Sequence, residues 1–163
     1  MKYFVIARIG RPGYYEGQSG RIPYNMDRVA QHSVDKLVQL GETLNQKVGS
    51  SSLLFLSPQV QIGIETTKII AGSMKKPCLL PGEISSALGD YLGRYDIKDL
   101  EGELNYHISG IDELVQRRRH DADALVIITS GSASGAYARE FLYRETKKQV
   151  VWFDGLPYGF AYF

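Results

Sequence analysis

Four short segments carry residue types that could bind or transform an anion, and each follows a stretch predicted to be a strand. The segments run over Arg8 to Gly13, Ser57 to Gln61, the loop containing Glu83, and Thr129 to Ser134. In an open α/β sheet, ligands bind beyond the carboxyl ends of the strands, where such segments converge. We therefore expect these four segments to face one crevice.

The segment from Thr129 to Gly135 is the richest in small residues. It places free backbone N–H groups between a predicted strand and a predicted helix, an arrangement that suits an anion. It matches neither a dinucleotide-binding motif nor a P-loop, and Ala133 stands where a nucleophile elbow needs serine. A tight strand-to-helix turn, which routinely uses glycine and serine, explains the same residues as well.

The elements that position these segments follow from hydrophobic periodicity. Short apolar runs predict buried strands at 3–7, 53–56, 124–129 and 149–154. Apolar residues at helical spacing predict helices at 26–48, 60–72, 111–119 and 134–144. A short strand is also predicted at Leu79-Leu80, and short helices and loops at 84–114. Strands alternating with helices predict an α/β fold, a three-layer sandwich with a mostly parallel central sheet, in one domain over 1–163.

Composition restricts the classes of partner. The 163 residues carry 19 Lys and Arg against 18 Asp and Glu, so the net charge of +1 gives no global field for nucleic acid or an anionic membrane. No run of 18 apolar residues predicts a membrane span. The single cysteine, Cys78, cannot form an internal disulfide, which fits a reducing compartment. We expect a cytoplasmic protein whose anion site, if it has one, is local.

Several short motifs occur together in a recognisable order. They are Arg8-Ile9-Gly10, Leu40-Gly41-Glu42, Ser57-Pro58 followed by Glu65-Thr66, and Ile127 to Gly131. Over nearly the whole chain this order resembles the histidine phosphatase (phosphoglycerate mutase-like) superfamily, most of all its short bacterial phosphohistidine-phosphatase branch. In that family the histidine of an Arg-His-Gly motif attacks phosphorus. Arginines and a second histidine cradle the phosphoryl oxygens, and an acidic residue protonates the leaving group.

Carried over position by position, the resemblance implies a degenerate catalytic site. Ile9 takes the place of the nucleophile, and isoleucine offers neither a lone pair nor a proton. The place of the pocket arginine falls on Gln61 or, after a slip of one residue, on Ile62. The second histidine is replaced by Ser130, which keeps the following Gly131 but loses the cation that would stabilise a transferring phosphoryl group.

The resemblance leaves a residual anion subsite. Arg8 is the surviving member of the family's core phosphate-binding groups, and Glu83 is the best candidate for the family's acid. The predicted subsite combines Arg8, Gly10, Gln61, Ser130 and Gly131. This set implies a catalytically inactive binding or regulatory protein whose ligand is anionic or phosphorylated.

Two other functions stay open. A phosphatase or mutase with a non-standard nucleophile would need a relocated group such as His107, because His32 and His120 are expected on the surface. A structural partner-binding domain or homodimer would use the aromatic tail from Trp152 to Phe163, which is expected to pack on this domain or on a second copy. The His, Cys and carboxylate residues show no metal-ligand spacing, so neither a metal nor a cofactor is expected.

Overall fold

The computed structural model describes residues 3–10, 12–14, 24–48, 51–75, 83–85, 100–129, 144, 151–152 and 158–162. Within them, eight strands and three helices follow one another along the chain. They are β1 (Tyr3–Arg8), β2 (Pro12–Tyr14), β3 (Tyr24–Val29), α1 (Gln31–Val48), β4 (Leu53–Pro58), α2 (Gln61–Ser73), β5 (Glu83–Ser85), α3 (Leu100–Arg118), β6 (Ala124–Thr129), β7 (Val151–Trp152) and β8 (Tyr158–Tyr162).

Six of these strands form the central sheet, in the order β5-β4-β6-β1-β8-β7. The strands β5, β4, β6 and β1 run parallel to one another, whereas β8 runs antiparallel to both β1 and β7. The register pairs Tyr3 with Ala124 and Arg8 with Thr129, so β1 and β6 begin and end level. The sheet is mostly parallel, as the sequence predicts. The strands β2 and β3 form a separate antiparallel hairpin.

Alternating side chains of β1 enter two different cores. Val5, Ala7 and Ile9 belong to a cluster with apolar residues of α1 and α2. Phe4 and Ile6 belong to a cluster with apolar residues of α3. Because neighbouring residues of a strand point to opposite faces, the helices must cover both faces of the sheet. This confirms the predicted three-layer sandwich.

The helices α1 and α2 approach closely at Gly41. A Cβ atom on Gly41 would lie 2.5 Å from the carbonyl oxygen of Ile70 and 2.5 Å from Cβ of Ser73. The buried leucines of α1, which are Leu37, Leu40 and Leu44, lie on the same side of the helix. The glycine of the Leu-Gly-Glu motif therefore allows α2 to pack directly on the backbone of α1.

Two secondary-structure predictions are wrong in part. The helix predicted to start at Met26 starts at Gln31, because Tyr24–Val29 forms β3 opposite β2. Val29 and Ala30 are buried at the end of β3, which accounts for apolar residues there without a helix. The stretch 84–114, predicted as short helices and loops, contains most of the continuous helix α3. Gly102 and Gly110 lie within α3, and glycine weakens the helical pattern.

The remaining predictions divide between confirmation and regions that the structure does not describe. The strands at 3–7, 53–56 and 124–129 and the helix at 60–72 are confirmed with small extensions. Glu83 begins β5 and does not lie in a loop. Within the predicted strand at 149–154, the described residues Val151–Trp152 form β7. The strand β8, from the aromatic tail, pairs with β1 in this chain's own sheet. Leu79-Leu80 and most of 134–144 lie outside the described residues, although Arg144 is helical.

Candidate functional site

The carboxyl ends of four parallel strands meet at one edge of the sheet. Arg8 at the end of β1 pairs with Thr129 at the end of β6. Pro58 at the end of β4 pairs with Ser85 at the end of β5. The structure thus brings together the starts of the four segments that the sequence predicts to face one crevice. We refer to this region as the carboxyl edge.

The structure describes part of the predicted site. Ser130 and Gly131 lie outside the described residues. The backbones of Arg8 and Glu83 are described, and their side chains are not. Their roles in ligand binding stay predictions, whereas Ile9, Gly10 and Gln61 have described positions.

Ile9, which the sequence resemblance matches to the nucleophile, belongs to the apolar core. Its exposed fraction is 7%, and it packs in the cluster that α1 and α2 share with the sheet. Burying an isoleucine side chain of this kind stabilises a fold by about 1.5–3 kcal/mol. Ile9 therefore has a packing role in this chain.

Gly10 is held tightly between other residues at the end of β1. A Cβ atom on Gly10 would lie 2.7 Å from Cγ1 of Val29 and 3.1 Å from Cδ1 of Leu37. Its backbone N–H donates a buried hydrogen bond to Oγ1 of Thr66 at 3.1 Å. The amide of Gly10 thus bonds to α2 and not to a ligand. Gly10, predicted to bind an anion, therefore has a structural role in the subsite.

Glu65 and Thr66, neighbours on α2, hold two different segments at the carboxyl edge. Oε2 of the half-buried Glu65 accepts a hydrogen bond from the backbone N–H of Val29 at 2.8 Å. Thr66 holds Gly10 as described above. In the sequence this pair is recognisable only as part of a motif. Both residues lie between Ile62 and Ile70, which are buried in the same helix. Polar residues in such a position generally have hydrogen-bond partners inside the fold, and this was the available signal.

Three hydroxyl groups near the carboxyl edge are fully buried. The hydroxyl of Ser57 donates to the carbonyl of Pro58 at 3.2 Å, that of Thr66 to Ile62 at 2.7 Å, and that of Thr67 to Gly63 at 2.9 Å. A hydroxyl becomes a nucleophile when a general base takes its proton. Each of these protons goes to a backbone carbonyl, which cannot act as a base, so none of the three is arranged as a nucleophile.

The structure distinguishes the two residues proposed for the place of the pocket arginine. Gln61 is the first residue of α2 and is exposed, whereas Ile62 is 0% exposed and lies in the core. Gln61 is the residue that can meet a ligand from solvent. The first turns of α1 and α2, both within the described residues, contain no acidic residue. Their positive dipole ends are therefore not neutralised by carboxylates of their own.

The three histidines lie in different parts of the fold. His32 is exposed in the first turn of α1, close in sequence to Val29 at the carboxyl edge. His120 is exposed between α3 and β6, at the opposite edge of the sheet. His107, predicted in a loop-rich region, lies inside α3, and its side chain is not described. The prediction that His32 and His120 lie on the surface is confirmed.

The basic run at the end of α3 is tied to nearby polar residues. Arg118 forms an ion pair with Asp121 at 2.8 Å, and Nη1 of Arg119 donates to Oε1 of Gln116 at 3.0 Å. These contacts hold the end of the helix against the turn that leads into β6. In the described part of the chain there is no group of three or more His, Cys, Asp and Glu residues that could hold a metal ion. The described helices also include none with the length and apolarity needed to cross a membrane.

Neither a family model nor a curated protein sequence matches this chain. Solved structures do match its fold. SixA from Agrobacterium tumefaciens superposes with a TM-score of 0.57 at 8% identity, over 86% of this chain and 77% of that one. The protein histidine phosphatase SixA in complex with tungstate superposes with a TM-score of 0.54 at 13% identity, over 98% and 94% of the two chains.

The chain has the histidine phosphatase fold. A mycobacterial glucosyl-3-phosphoglycerate phosphatase also superposes, with a TM-score of 0.52 at 12% identity over 88% of this chain and 80% of that one. The resemblance stated from the sequence is thus confirmed at the level of the histidine phosphatase fold. At such low identities the likeness concerns the fold, and the chemistry must be argued from this chain's own residues.

Proposed function

We propose that this chain is a catalytically inactive protein of histidine phosphatase fold that binds an anionic or phosphorylated small molecule at the carboxyl edge. The observation that carries the proposal is the packing of Ile9, which is 7% exposed in the core and which the resemblance matches to the family's nucleophile. An isoleucine can neither form a phosphohistidine nor transfer a proton. Loss of a nucleophile in other hydrolases costs on the order of 10⁶ in rate.

The described hydroxyl groups support the same conclusion. Ser57, Thr66 and Thr67 are fully buried, and each donates its proton to a backbone carbonyl. None of them offers a replacement for the missing histidine. Among the described residues of the carboxyl edge, the chemistry left is binding.

An anion is the ligand class that the remaining groups favour. Arg8 ends β1, Gln61 is exposed at the start of α2, and Ser130 and Gly131 follow β6 in the sequence. Helix N-termini without acidic residues add a favourable potential for negative charge. One structure of this fold holds tungstate, a tetrahedral oxyanion like phosphate. The single cysteine fits a reducing compartment, and we expect the protein to act in the cytoplasm.

A phosphatase or mutase with a non-standard nucleophile is the second candidate, because solved structures with this fold include phosphatases. Hydrolysis of an aryl phosphate and of phosphohistidine by the purified protein separates the two. We expect no turnover above the uncatalysed rate. Turnover that disappears in His107→Ala or His32→Ala would overturn the proposal of an inactive protein.

Anion binding is tested by thermal unfolding with inorganic phosphate and with sulfate. A ligand at 100 times its Kd adds about 2.7 kcal/mol to the free energy of unfolding. Arg8→Ala should abolish most of that gain. Arg117→Ala, which removes an exposed arginine from the far end of α3, should leave it unchanged. Absence of stabilisation by either anion would overturn the binding function.

A further inference from the structure

The amino ends of the central strands form a surface opposite the carboxyl edge. The strands β1, β4 and β6 begin level there, since Ala124 pairs with both Tyr3 and Leu53. The N–H of Asp123 donates to Oγ of Ser52 at 2.9 Å, and this hydroxyl donates to Oδ2 of Asp123 at 3.1 Å. Reciprocal hydrogen bonds thus join the residues that lead into β4 and β6.

The three helices that the structure describes end beside these strand starts. The helix α1 ends at Val48 and leads into β4, and α3 ends at Arg118 and leads into β6. The helix α2 leaves the carboxyl edge after β4, and its 13 residues span about 20 Å, which is also about the length of the six-residue strand β4. It therefore ends level with the start of β4. We call the strand starts, the last turn of each helix and the turn that follows it the amino edge.

Basic side chains cluster at these helix ends. Among the described residues, the amino edge carries five of them, which are Lys47 of α1, Lys75 just after α2, and Arg117, Arg118 and Arg119 at the end of α3. The two lysines and the first arginine are exposed, and the other two arginines are partly exposed. The described acidic residues of this edge are Asp121 and Asp123, so positive charges exceed negative ones by three. The amino edge is therefore more positive than the chain as a whole, whose net charge is +1.

The basic side chains of the amino edge are spread over both faces of the sheet. Apolar residues of α1 and α2 pack on one face and those of α3 on the other. The sheet therefore separates Lys47 and Lys75 from Arg117. A single phosphate group is too small to contact both sides, whereas an extended partner with several negative charges can do so.

The mixture of charges within the amino edge favours a protein over other extended anions. The side chain of Asp121 is 41% exposed and lies 2.8 Å from that of Arg118. A nucleic-acid backbone or an anionic membrane presents only negative charge, which the carboxylates of Asp121 and Asp123 repel. A protein surface presents both carboxylates and hydrogen-bond donors, so it can complement a mixed patch. Arginine is also enriched at protein interfaces.

We propose that the amino edge is a docking surface for an acidic segment of a partner protein, whose carboxylates bind the basic side chains at the three helix ends. This inference does not rest on the proposed function, because the two edges lie a strand length apart, about 20 Å. That distance exceeds the screening length of about 8 Å at physiological ionic strength. A partner at the amino edge and an anion at the carboxyl edge can therefore bind at the same time.

Fluorescence anisotropy with a labelled oligoglutamate peptide and the full chain, at low ionic strength, tests the docking surface. Lys47→Glu/Lys75→Glu should weaken binding about tenfold or more, and Arg117→Glu on the other face should weaken it by a smaller factor. Lys47→Gln/Lys75→Gln removes the same charges without reversing them and should also give a smaller loss. The matched control, Arg28→Glu/Lys36→Glu, reverses two exposed charges far from the amino edge and should change the affinity less than about twofold. Absence of peptide binding, or equal weakening by the two Glu double variants, would overturn the docking surface.

Three other anions define the kind of partner and its relation to the carboxyl edge. Oligoglutamate should bind more tightly than duplex DNA or phosphatidylserine vesicles. Tighter binding of DNA or vesicles, weakened in Lys47→Glu/Lys75→Glu, would overturn the assignment to a protein partner. Inorganic phosphate, at matched ionic strength, should leave the affinity for the peptide unchanged, and competition between the two would overturn the independence of the edges. Peptide binding by a protein that phosphate does not stabilise would overturn the anion-binding function and support the docking surface.

Discussion

The backbone amide of Gly10 donates a hydrogen bond to the hydroxyl of Thr66 at 3.1 Å, across 56 positions of the chain. Gly10 ends the segment that carries Ile9, and Thr66 lies in the middle of α2. The hydroxyl of Thr66 in turn donates to the carbonyl of Ile62, so both sides of this hydroxyl are used inside the protein. Hydrogen bonds from α2 therefore hold the backbone at the carboxyl edge in place without a ligand.

Thr66→Val should destabilise the protein although the two side chains have the same shape. The substitution leaves the buried N–H of Gly10 without an acceptor, and a buried unsatisfied donor costs about 1–3 kcal/mol. Unfolding in urea measures the difference in free energy of unfolding. Thr66→Ser keeps the hydroxyl and should retain the hydrogen bond. Equal stability of Thr66→Val and the parent protein would contradict the importance of this bond.

Gly41→Ala should lower the stability, whereas Gly72→Ala should raise it. The first places a Cβ atom 2.5 Å from the carbonyl oxygen of Ile70, and nothing lies within 4 Å of a Cβ atom on Gly72. Overpacking costs about 1–3 kcal/mol, and alanine gains up to about 1 kcal/mol over glycine in a helix interior. Thermal unfolding of the two variants in parallel provides the comparison. Destabilisation of equal size in both would contradict the close approach of α1 and α2.

Ile9→His should not create a phosphatase. The imidazole would enter an apolar site, and its burial should cost about 1–3 kcal/mol. The resemblance gives the places of its cationic partners to Gln61 and Ser130, which carry no charge. Ile9→Val is the matched control, with an expected cost of about 0.5–1.5 kcal/mol. Aryl phosphate hydrolysis and urea unfolding are measured for both variants. Turnover by Ile9→His would show that the edge keeps a competent phosphoryl pocket and would contradict this prediction.

The local sequence pattern is sufficient to predict the buried strands of the central sheet. The runs Tyr3–Arg8, Leu53–Pro58 and Ala124–Thr129 are strands because continuous apolar residues suit a sheet that is covered on both faces. From these features follow the parallel sheet and the three layers. The match of Ile9 to the family's nucleophile comes from the sequence resemblance and stays a prediction.

Tertiary contacts decided the secondary structure of the segments that pack around the end of β1. Val29 continues a helical pattern in the sequence, yet it ends a strand because β2 pairs with β3 and the Glu65 carboxylate accepts its amide. Tyr158–Tyr162 becomes a strand because β1 offers a free edge for antiparallel pairing. Such contacts join residues that are far apart in the chain, so no local window contains both partners. The sequence shows that Glu65 and Thr66 are polar. Only the folded protein shows that their hydrogen-bond partners are Val29 and Gly10.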